Sequence, residues 1–224
     1  MRVEPTASDA GRGRPGPVAI VATPDTSTPG ERATAGEAAW RYDEPVIAVD
    51  IDDNEIGYVS RTHAHDGQGL LHRAFMTLLV DPEGRLLLAR RSGFKRLWAL
   101  AWADSCAGHP RPGEGIVEAA QRRIQEELGC SADLQAVGFF VYRAELPGLG
   151  SENELCHVLV GRATSAIDPD PVEVDEVGGF RLADLDLAIR EDPDAFAPWL
   201  VRCLKEFPLC ALAATGNAEL GAIV

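Results

Sequence analysis

Apolar side chains recur along this chain with two periods. Over 113–128, Ile116, Ala120, Ile124 and Leu128 fall every four positions, with Val117 widening the stripe. That spacing predicts an amphipathic helix, and Gly129 supplies its stop at C′. Glu118–Arg122 and Arg123–Glu127 are opposite charges four apart, which predicts two ion pairs on the polar face. Elsewhere the apolar runs are short and strand-like. A strand is predicted over 45–51 with a turn at Asp52-Asp53-Asn54-Glu55. The run 71–80 meets the turn signal Asp81-Pro82-Glu83-Gly84 and returns over 85–91, as a hairpin would. Further strands are expected over 139–145, carrying Tyr142, over 151–160, and near Phe180. Helices are expected over 183–190 and 193–206. Strands that alternate with helices but include a hairpin predict an α/β (α+β) fold with a mixed β-sheet flanked by helices.

Composition bounds this picture. The 224 residues are 46% hydrophobic and 25% charged, ordinary for a soluble domain. Residues 1–43 lack periodicity and are rich in Pro, Gly, Ala, Thr and Ser, as in Gly11-Arg12-Gly13-Arg14-Pro15-Gly16-Pro17. Such a stretch buries too little apolar surface to offset chain entropy, so a disordered arm is expected, with 18–21 able to meet a sheet edge. One domain is expected over 44–209, followed by a small apolar tail over 210–224. A net charge of −14 argues against a general nucleic-acid or membrane-surface binder, yet leaves room for an anionic substrate held by local cations. Five cysteines without a CxxC pair favour reduced thiols and a cytoplasmic location. No apolar run is long enough for a membrane helix, and the N-terminal residues lack the apolar region of a signal peptide.

Candidate chemistry concentrates in Trp102-Ala103-Asp104-Ser105-Cys106-Ala107-Gly108-His109-Pro110, where a carboxylate, a hydroxyl, a thiol and an imidazole approach a glycine ahead of the helix. Elsewhere, His65 and His72 are seven apart, and Glu152 and Glu154 share one face of a strand. Adjacent carboxylates repel unless a cation or proton lies between them. Three imidazoles (His65, His72, His109) and two carboxylates suit a five- or six-coordinate divalent ion such as Mn²⁺, Mg²⁺ or Zn²⁺.

The helix carries a second signal. Gly108, Glu114 and Arg122-Arg123-Ile124-Gln125-Glu126-Glu127-Leu128-Gly129 closely resemble the Nudix box G-x5-E-x7-R-E-U-x-E-E-x-G-U. The chain departs from it at Arg123, where a glutamate is usual, and at Cys130. Losing that glutamate weakens a hydrolase metal array, whereas an arginine can bind diphosphate oxygens. Leu71-His72-Arg73-Ala74-Phe75, Leu88-Ala89-Arg90-Arg91, the stretch 102–110, Tyr142-Arg143-Ala144, Glu152-Asn153-Glu154-Leu155-Cys156 and Ala197-Pro198-Trp199 then resemble type 1 isopentenyl-diphosphate isomerase, within the Nudix superfamily.

The resemblance implies a Nudix fold and a set of roles. His65, His72, His109, Glu152 and Glu154 fall on the family's metal site, and Glu127 on a glutamate that helps hold Mg²⁺ against the diphosphate. Arg61, Arg91, Lys95 and Arg123 match diphosphate-binding cations, Tyr142 and Trp199 match pocket aromatics, and Glu154 with Tyr142 matches the side that protonates the alkene. The implied partner is a small prenyl diphosphate. The chain departs from the family at Ala107, where the family has its catalytic cysteine; the thiol stands one residue earlier at Cys106, which on a strand faces the other way. Four readings follow. One is an isomerase of isopentenyl and dimethylallyl diphosphate in which Cys106, Ser105 or water replaces the thiol. Another is a proton-initiated terpene cyclase acting on a longer prenyl diphosphate in a pocket that Ala107 enlarges. The third, a Nudix hydrolase, is disfavoured by Arg123; the fourth, a non-catalytic binder, is disfavoured by the intact set of His and Glu residues.

Overall fold

The computed structural model describes residues 44–207 and the two-residue strand β1, Val18–Ala19. The rest of the expected arm over 1–43 and the tail over 210–224 lie outside the described residues. One mixed sheet contains β1, β2 (Pro45–Val49), β3 (Glu55–Ser60), β4 (His72–Val80), β5 (Leu86–Arg91), β6 (Trp102–Ala103), β7 (Cys106–Gly108), β8 (Ala132–Leu146), β9 (Gly150–Ala163) and β10 (Val174–Phe180). The helices are α1 (Arg61–His65), α2 (Ile116–Leu128), α3 (Leu182–Glu191) and α4 (Pro198–Glu206).

The strand β4 organises the sheet. It is almost wholly buried and pairs with β2, β5, β7 and β9. Its pairing with β9 is parallel and runs from His72↔Glu154 to Val80↔Arg162; β8 then adds antiparallel to β9. The run Ala74–Val80, apolar but for Thr77, suits a strand covered on both faces. Ala74, Met76 and Leu78 face a core built with α3 and α4 through Leu185, Trp199, Leu200 and Cys203. On the opposite face, Leu79 packs with Ile124 and Leu128 of α2, and Phe75 with Ala119 and Ala120.

Several expectations hold with altered bounds. The hairpin is real but brief, since β4 and β5 pair only at Leu79↔Leu87 and Val80↔Leu86; β5 then pairs with β6, while β10 pairs with it along its whole length. The apolar run 18–21 meets a sheet edge over its first two residues, at Gly179 and Gly178 of β10. The helix expected over 193–206 is divided. Pro193–Ala195 forms one 3₁₀ turn, and Pro198 opens α4 at a position that tolerates its missing N–H. Between them Ala197 N–H donates to the Trp102 carbonyl at 2.8 Å, so this main chain bonds to β6 and cannot continue a helix. The segment 57–69 also holds structure not anticipated, β3 and the short α1, whose His63 N–H is accepted by Ser60 Oγ at 3.2 Å.

The helix α2 ends at Gly129 in the left-handed region, φ 62°, as its C′ position requires. Two details of its polar face differ from expectation. Glu118 turns back to accept from the Gly115 N–H at 3.2 Å, and Arg122 pairs with Glu114 (2.7 Å) and Glu126 (3.4 Å) instead of Glu118. Val117 is exposed and does not widen the buried stripe. The described cysteines 106, 130, 156 and 203 are free and buried, while Cys210 lies outside the described residues. Among the described residues no helix is long and apolar enough to cross a membrane.

Where β8 crosses β9, a Cβ at Gly161 would overlap the Asp133 carbonyl oxygen. Gly161→Ala should therefore destabilise the fold by about 1–3 kcal/mol in denaturant unfolding. Gly93→Ala, whose Cβ would meet only Leu100 Cδ2 at 3.9 Å, should change stability by less than about 0.5 kcal/mol.

Candidate active site

Register builds the site. The pairs His72↔Glu154 and Tyr142↔Glu154 place three residues in one row across β4, β9 and β8. His65 arrives from the last position of α1, and His109 follows directly on β7. The three imidazole rings lie 4.7–5.3 Å apart between centroids. His65, His72, His109 and Glu154 each offer a ligand atom within 4.8 Å of the others, so they form a group able to hold a metal ion.

The ring tautomers support that capacity. His65 Nδ1 lies 2.7 Å from the Arg61 carbonyl and His72 Nδ1 lies 2.7 Å from the Leu70 carbonyl. A carbonyl only accepts, so both Nδ1 atoms carry the proton and the neutral rings present bare Nε2 lone pairs. The His72 lone pair faces His109 Nε2 at 3.0 Å and Glu154 Oε1 at 3.6 Å; His109 Nε2 lies 3.2 Å from the same oxygen. The His65 lone pair faces Glu152 Oε2 at 2.8 Å, an oxygen that receives no well-directed hydrogen bond. Acceptor facing acceptor at such distances is unfavourable until a proton or a cation lies between them. Burial works to lower the His65 pKa, but the Glu152 and Glu154 carboxylates outweigh it and hold it above the ordinary range. Burial and the charges of Arg61, His72 and His65 hold His109 well below that range, and so neutral.

Glu154 also accepts from the Tyr142 hydroxyl at 2.6 Å. Burial opposes its ionisation, yet His72, His65 and the tyrosine hydrogen bond bring its pKa down to about 2. Burial and the Glu154 and Glu152 charges push Tyr142 well above the usual phenol range. The pair therefore holds its proton on the tyrosine and its negative charge on the glutamate.

Sequence reasoning placed Glu127 and Glu152 with the metal ligands. Both lie outside the four-residue group: Glu152 stands beside His65, and Glu127 is ion-paired to Arg123. Arg123 also binds Glu126 at 2.6 Å and Glu173 at 3.3 Å, and Lys95 pairs with Glu173. Burial favours loss of the Arg123 proton, but Glu127 and Glu173 prevail and raise its pKa. Burial likewise opposes charge on Glu173, but Lys95 and Arg123 hold its pKa at about 2. Arg61, Arg91, Lys95 and Glu127 all border one cavity with His109 and Glu154, about 630 Å³ when measured out to its open mouth.

In the wall of that cavity Trp199 is buried, with its ring 6.3 Å from Tyr142 and in edge contact with Trp98 at 5.4 Å. Arg91 donates to the Leu97 carbonyl at 3.0 and 3.2 Å, and its Cζ stands 5.2 Å from the Trp199 ring centroid. One face of the indole thus already lies against a cation.

The pairs Met76↔Ala107 and Thr77↔Cys106 assign the stretch 106–107 to opposite faces of the sheet. Ala107 faces the Trp199 core, and Cys106 packs with Ile124 and Leu128 beneath α2. Burial and the Glu127 charge raise the Cys106 pKa well above its ordinary value, keeping it a thiol. Ser105 Oγ donates to the Leu87 carbonyl (2.5 Å) and accepts from Leu79 N–H (2.8 Å), so its hydrogen bonds hold strands together.

One residue here escaped the sequence reading, and another stood in the candidate stretch 102–110 without a role. Glu173 lies in an acidic, turn-rich stretch, and only the fold shows that it sits between Lys95 and Arg123. Asp104 is 2% exposed and its Oδ1 accepts from Trp199 Nε1–H at 2.8 Å. Asp104 Oδ2 is buried without a hydrogen bond from any other residue, an arrangement that costs about 1–3 kcal/mol. Burial is the main cause that raises its pKa, to about 6.

The NUDIX domain pattern matches residues 70–200. A protein from Deinococcus radiodurans superposes with a TM-score of 0.60 at 21% identity, covering 73% of this chain and 98% of that one. A MutT protein from Methanosarcina mazei Go1 superposes at 0.50 and 21%, covering 62% and 93%. These two likenesses concern the fold. Closer in sequence is a protein named isopentenyl-diphosphate Delta-isomerase from Serratia proteamaculans, 43% identical over 73% of this chain and 91% of its own length. A protein of the same name from Nocardia farcinica is 41% identical over 72% and 93%. With its NUDIX fold and this likeness along nearly the whole length of such relatives, the chain belongs to the isopentenyl-diphosphate Delta-isomerase family.

Proposed function

We propose that this protein interconverts isopentenyl and dimethylallyl diphosphate by protonating an alkene. The observation that carries this reading is the Tyr142–Glu154 hydrogen bond of 2.6 Å, within a cavity lined by Arg61, Arg91 and Lys95 as well as by Trp199. Isomerisation moves a double bond by adding a proton at the terminal carbon and removing one from the neighbouring methylene. The intermediate is a tertiary carbocation that water would quench, so the reacting carbons need a dry, aromatic wall. Tyr142 and Trp199 are both nearly inaccessible to solvent and supply that wall. The proton resides on the Tyr142–Glu154 pair, and delivering it transfers positive charge to carbon next to the indole face. Arg61, Arg91 and Lys95 line this cavity and Arg123 lines an adjoining one, and these cations anchor the diphosphate.

His65, His72, His109 and Glu154, with Glu152 beside them, are the residues that would hold a divalent ion. Their nitrogen donors suit Mn²⁺ or Zn²⁺, and Mg²⁺ suits the carboxylate of Glu127 together with diphosphate oxygens. Bound there, such ions supply positive charge that offsets the buried carboxylates and the diphosphate. A Nudix hydrolase is the weaker reading, because Arg123 replaces a box glutamate and itself neutralises Glu127. The relatives named above do not favour the terpene cyclase that Ala107 suggested. The free thiols agree with a cytoplasmic location.

The test is turnover of isopentenyl diphosphate with Mg²⁺ in D₂O. The expected product is dimethylallyl diphosphate carrying deuterium, and Glu154→Gln should lower kcat by about 10²–10⁴-fold. A fully active Glu154→Gln protein, or release of phosphate without movement of the double bond, would contradict the reading. Separately, the protein should bind a divalent transition-metal ion. Its affinity should rise with pH, because the ion displaces the proton that Glu152 and Glu154 hold on His65. His72→Ala should weaken that binding at least about tenfold in a calorimetric titration.

A further inference from the structure

We propose that Asp104 is the catalytic base that takes the methylene proton in this protein, in place of the thiol that Ala107 lacks. The inference rests on the isomerase reading above. The proton gained by the substrate comes from the Tyr142–Glu154 pair, so the proton it loses needs a different acceptor on another wall of the cavity. The sequence offered Cys106, Ser105 or water. The structure removes the two side chains from that set: Ser105 Oγ is engaged by Leu87 and Leu79, and Cys106 lies under α2 on the face opposite Ala107. Cys156 borders the cavity, but it stands two residues from Glu154 on the same strand and so on the proton donor's face.

Asp104 has what these groups lack. It borders the same cavity as Ala107, Trp199 and Glu154, and it enters from the link between β6 and β7, whereas Glu154 enters from β9. One carboxylate oxygen is fixed by Trp199 Nε1–H, which orients the group against the aromatic wall where the carbocation forms. The other oxygen is buried and receives no hydrogen bond from another residue, so a lone pair remains for a proton. The charged groups around it are Arg91 from β5 and Glu127 from α2. Burial, opposed by Trp199 and Arg91, leaves its pKa at about 6, so near neutrality it is ionised and still a competent base.

The step balances. The methylene C–H bond breaks and its electron pair becomes the new C=C bond, which discharges the cation. The proton passes to Asp104 Oδ2 and from there to solvent, and solvent reloads the Tyr142–Glu154 pair. Nothing is oxidised or reduced.

The experiment compares the parent protein with Asp104→Asn, Asp104→Glu and the double variant Asp104→Asn with Ala107→Cys, each given isopentenyl diphosphate and Mg²⁺. Asn keeps the volume and the acceptor for Trp199 Nε1–H, so the melting temperature and substrate KM should hardly move while kcat falls by about 10²-fold or more. Glu, which retains a carboxylate, should keep more activity than Asn and provides the comparison should Asn impair folding. Adding Ala107→Cys to the Asn variant should restore turnover, because it puts a thiol on the Trp199 face. The assignment is overturned if Asp104→Asn keeps kcat within about threefold of the parent, if its loss lies in KM or stability, if Glu is no better than Asn, or if Cys at 107 rescues nothing. A parent protein that never moves the double bond overturns the isomerase reading itself, a result distinct from an active parent with an active Asn variant.

Discussion

The structure depends on acceptors that face one another in a buried place. Two backbone carbonyls, of Arg61 and Leu70, fix the protons of His65 and His72 on Nδ1 and so aim bare Nε2 lone pairs inward. Those lone pairs meet His109 and the carboxylates of Glu152 and Glu154. Such a cluster is unfavourable unless protons or a cation lie between these atoms, which ties the local stability of α1, β4 and β9 to their presence. A fold whose centre can hold a cation is well suited to binding an anionic diphosphate beside it, despite a net charge of −14.

The arrangement follows from strand register. One parallel pairing, β4 with β9, sets His72 beside Glu154, and one antiparallel pairing, β8 with β9, sets Tyr142 on the other side. A slip of one residue in either pairing would turn the chemistry into the opposite core. The apolar run of β4 opposes such a slip, because Met76 and Leu78 on one face and Phe75 and Leu79 on the other are fully buried. The bidentate Arg122–Glu114 pair, at 2.7 and 2.8 Å, then fixes the loop ahead of α2, and Arg122 also reaches the His109 carbonyl at 3.4 Å.

Much of this was legible in the sequence. The fourfold spacing from Ile116 to Leu128 and the stop at Gly129 gave α2, and the strand parity of Glu152 and Glu154 gave their shared face. His65, His72 and His109 were recognisable as a set because spaced imidazoles and paired carboxylates share one use. What stayed hidden depends on long-range pairing. Glu173 reads as one of several acids in a turn until β10 brings it between Lys95 and Arg123. Asp104 reads as the carboxylate of a candidate stretch with no role of its own until Trp199, ninety-five positions away, bonds one of its oxygens and leaves the other bare. The division of the last helix was hidden for the same reason, since the bond from Ala197 to Trp102 has no local signature.

The departures from the usual Nudix and isomerase patterns share a physical logic. Arg123 adds a cation where hydrolases carry an anion, and it is neutralised by Glu126, Glu127 and Glu173. Ala107 carries no thiol, and the buried carboxylate of Asp104 borders the same cavity. Ala107 lines the cavity beside the His–Glu cluster and Arg123 the adjoining one. The most direct measurement is anomalous X-ray scattering from crystals grown with Mn²⁺. An ion among the Nε2 atoms of His65, His72 and His109 and the carboxylate of Glu154 is the result this account predicts. The rings and carboxylates in the same place with no anomalous peak among them, at saturating Mn²⁺ and neutral pH, would contradict it.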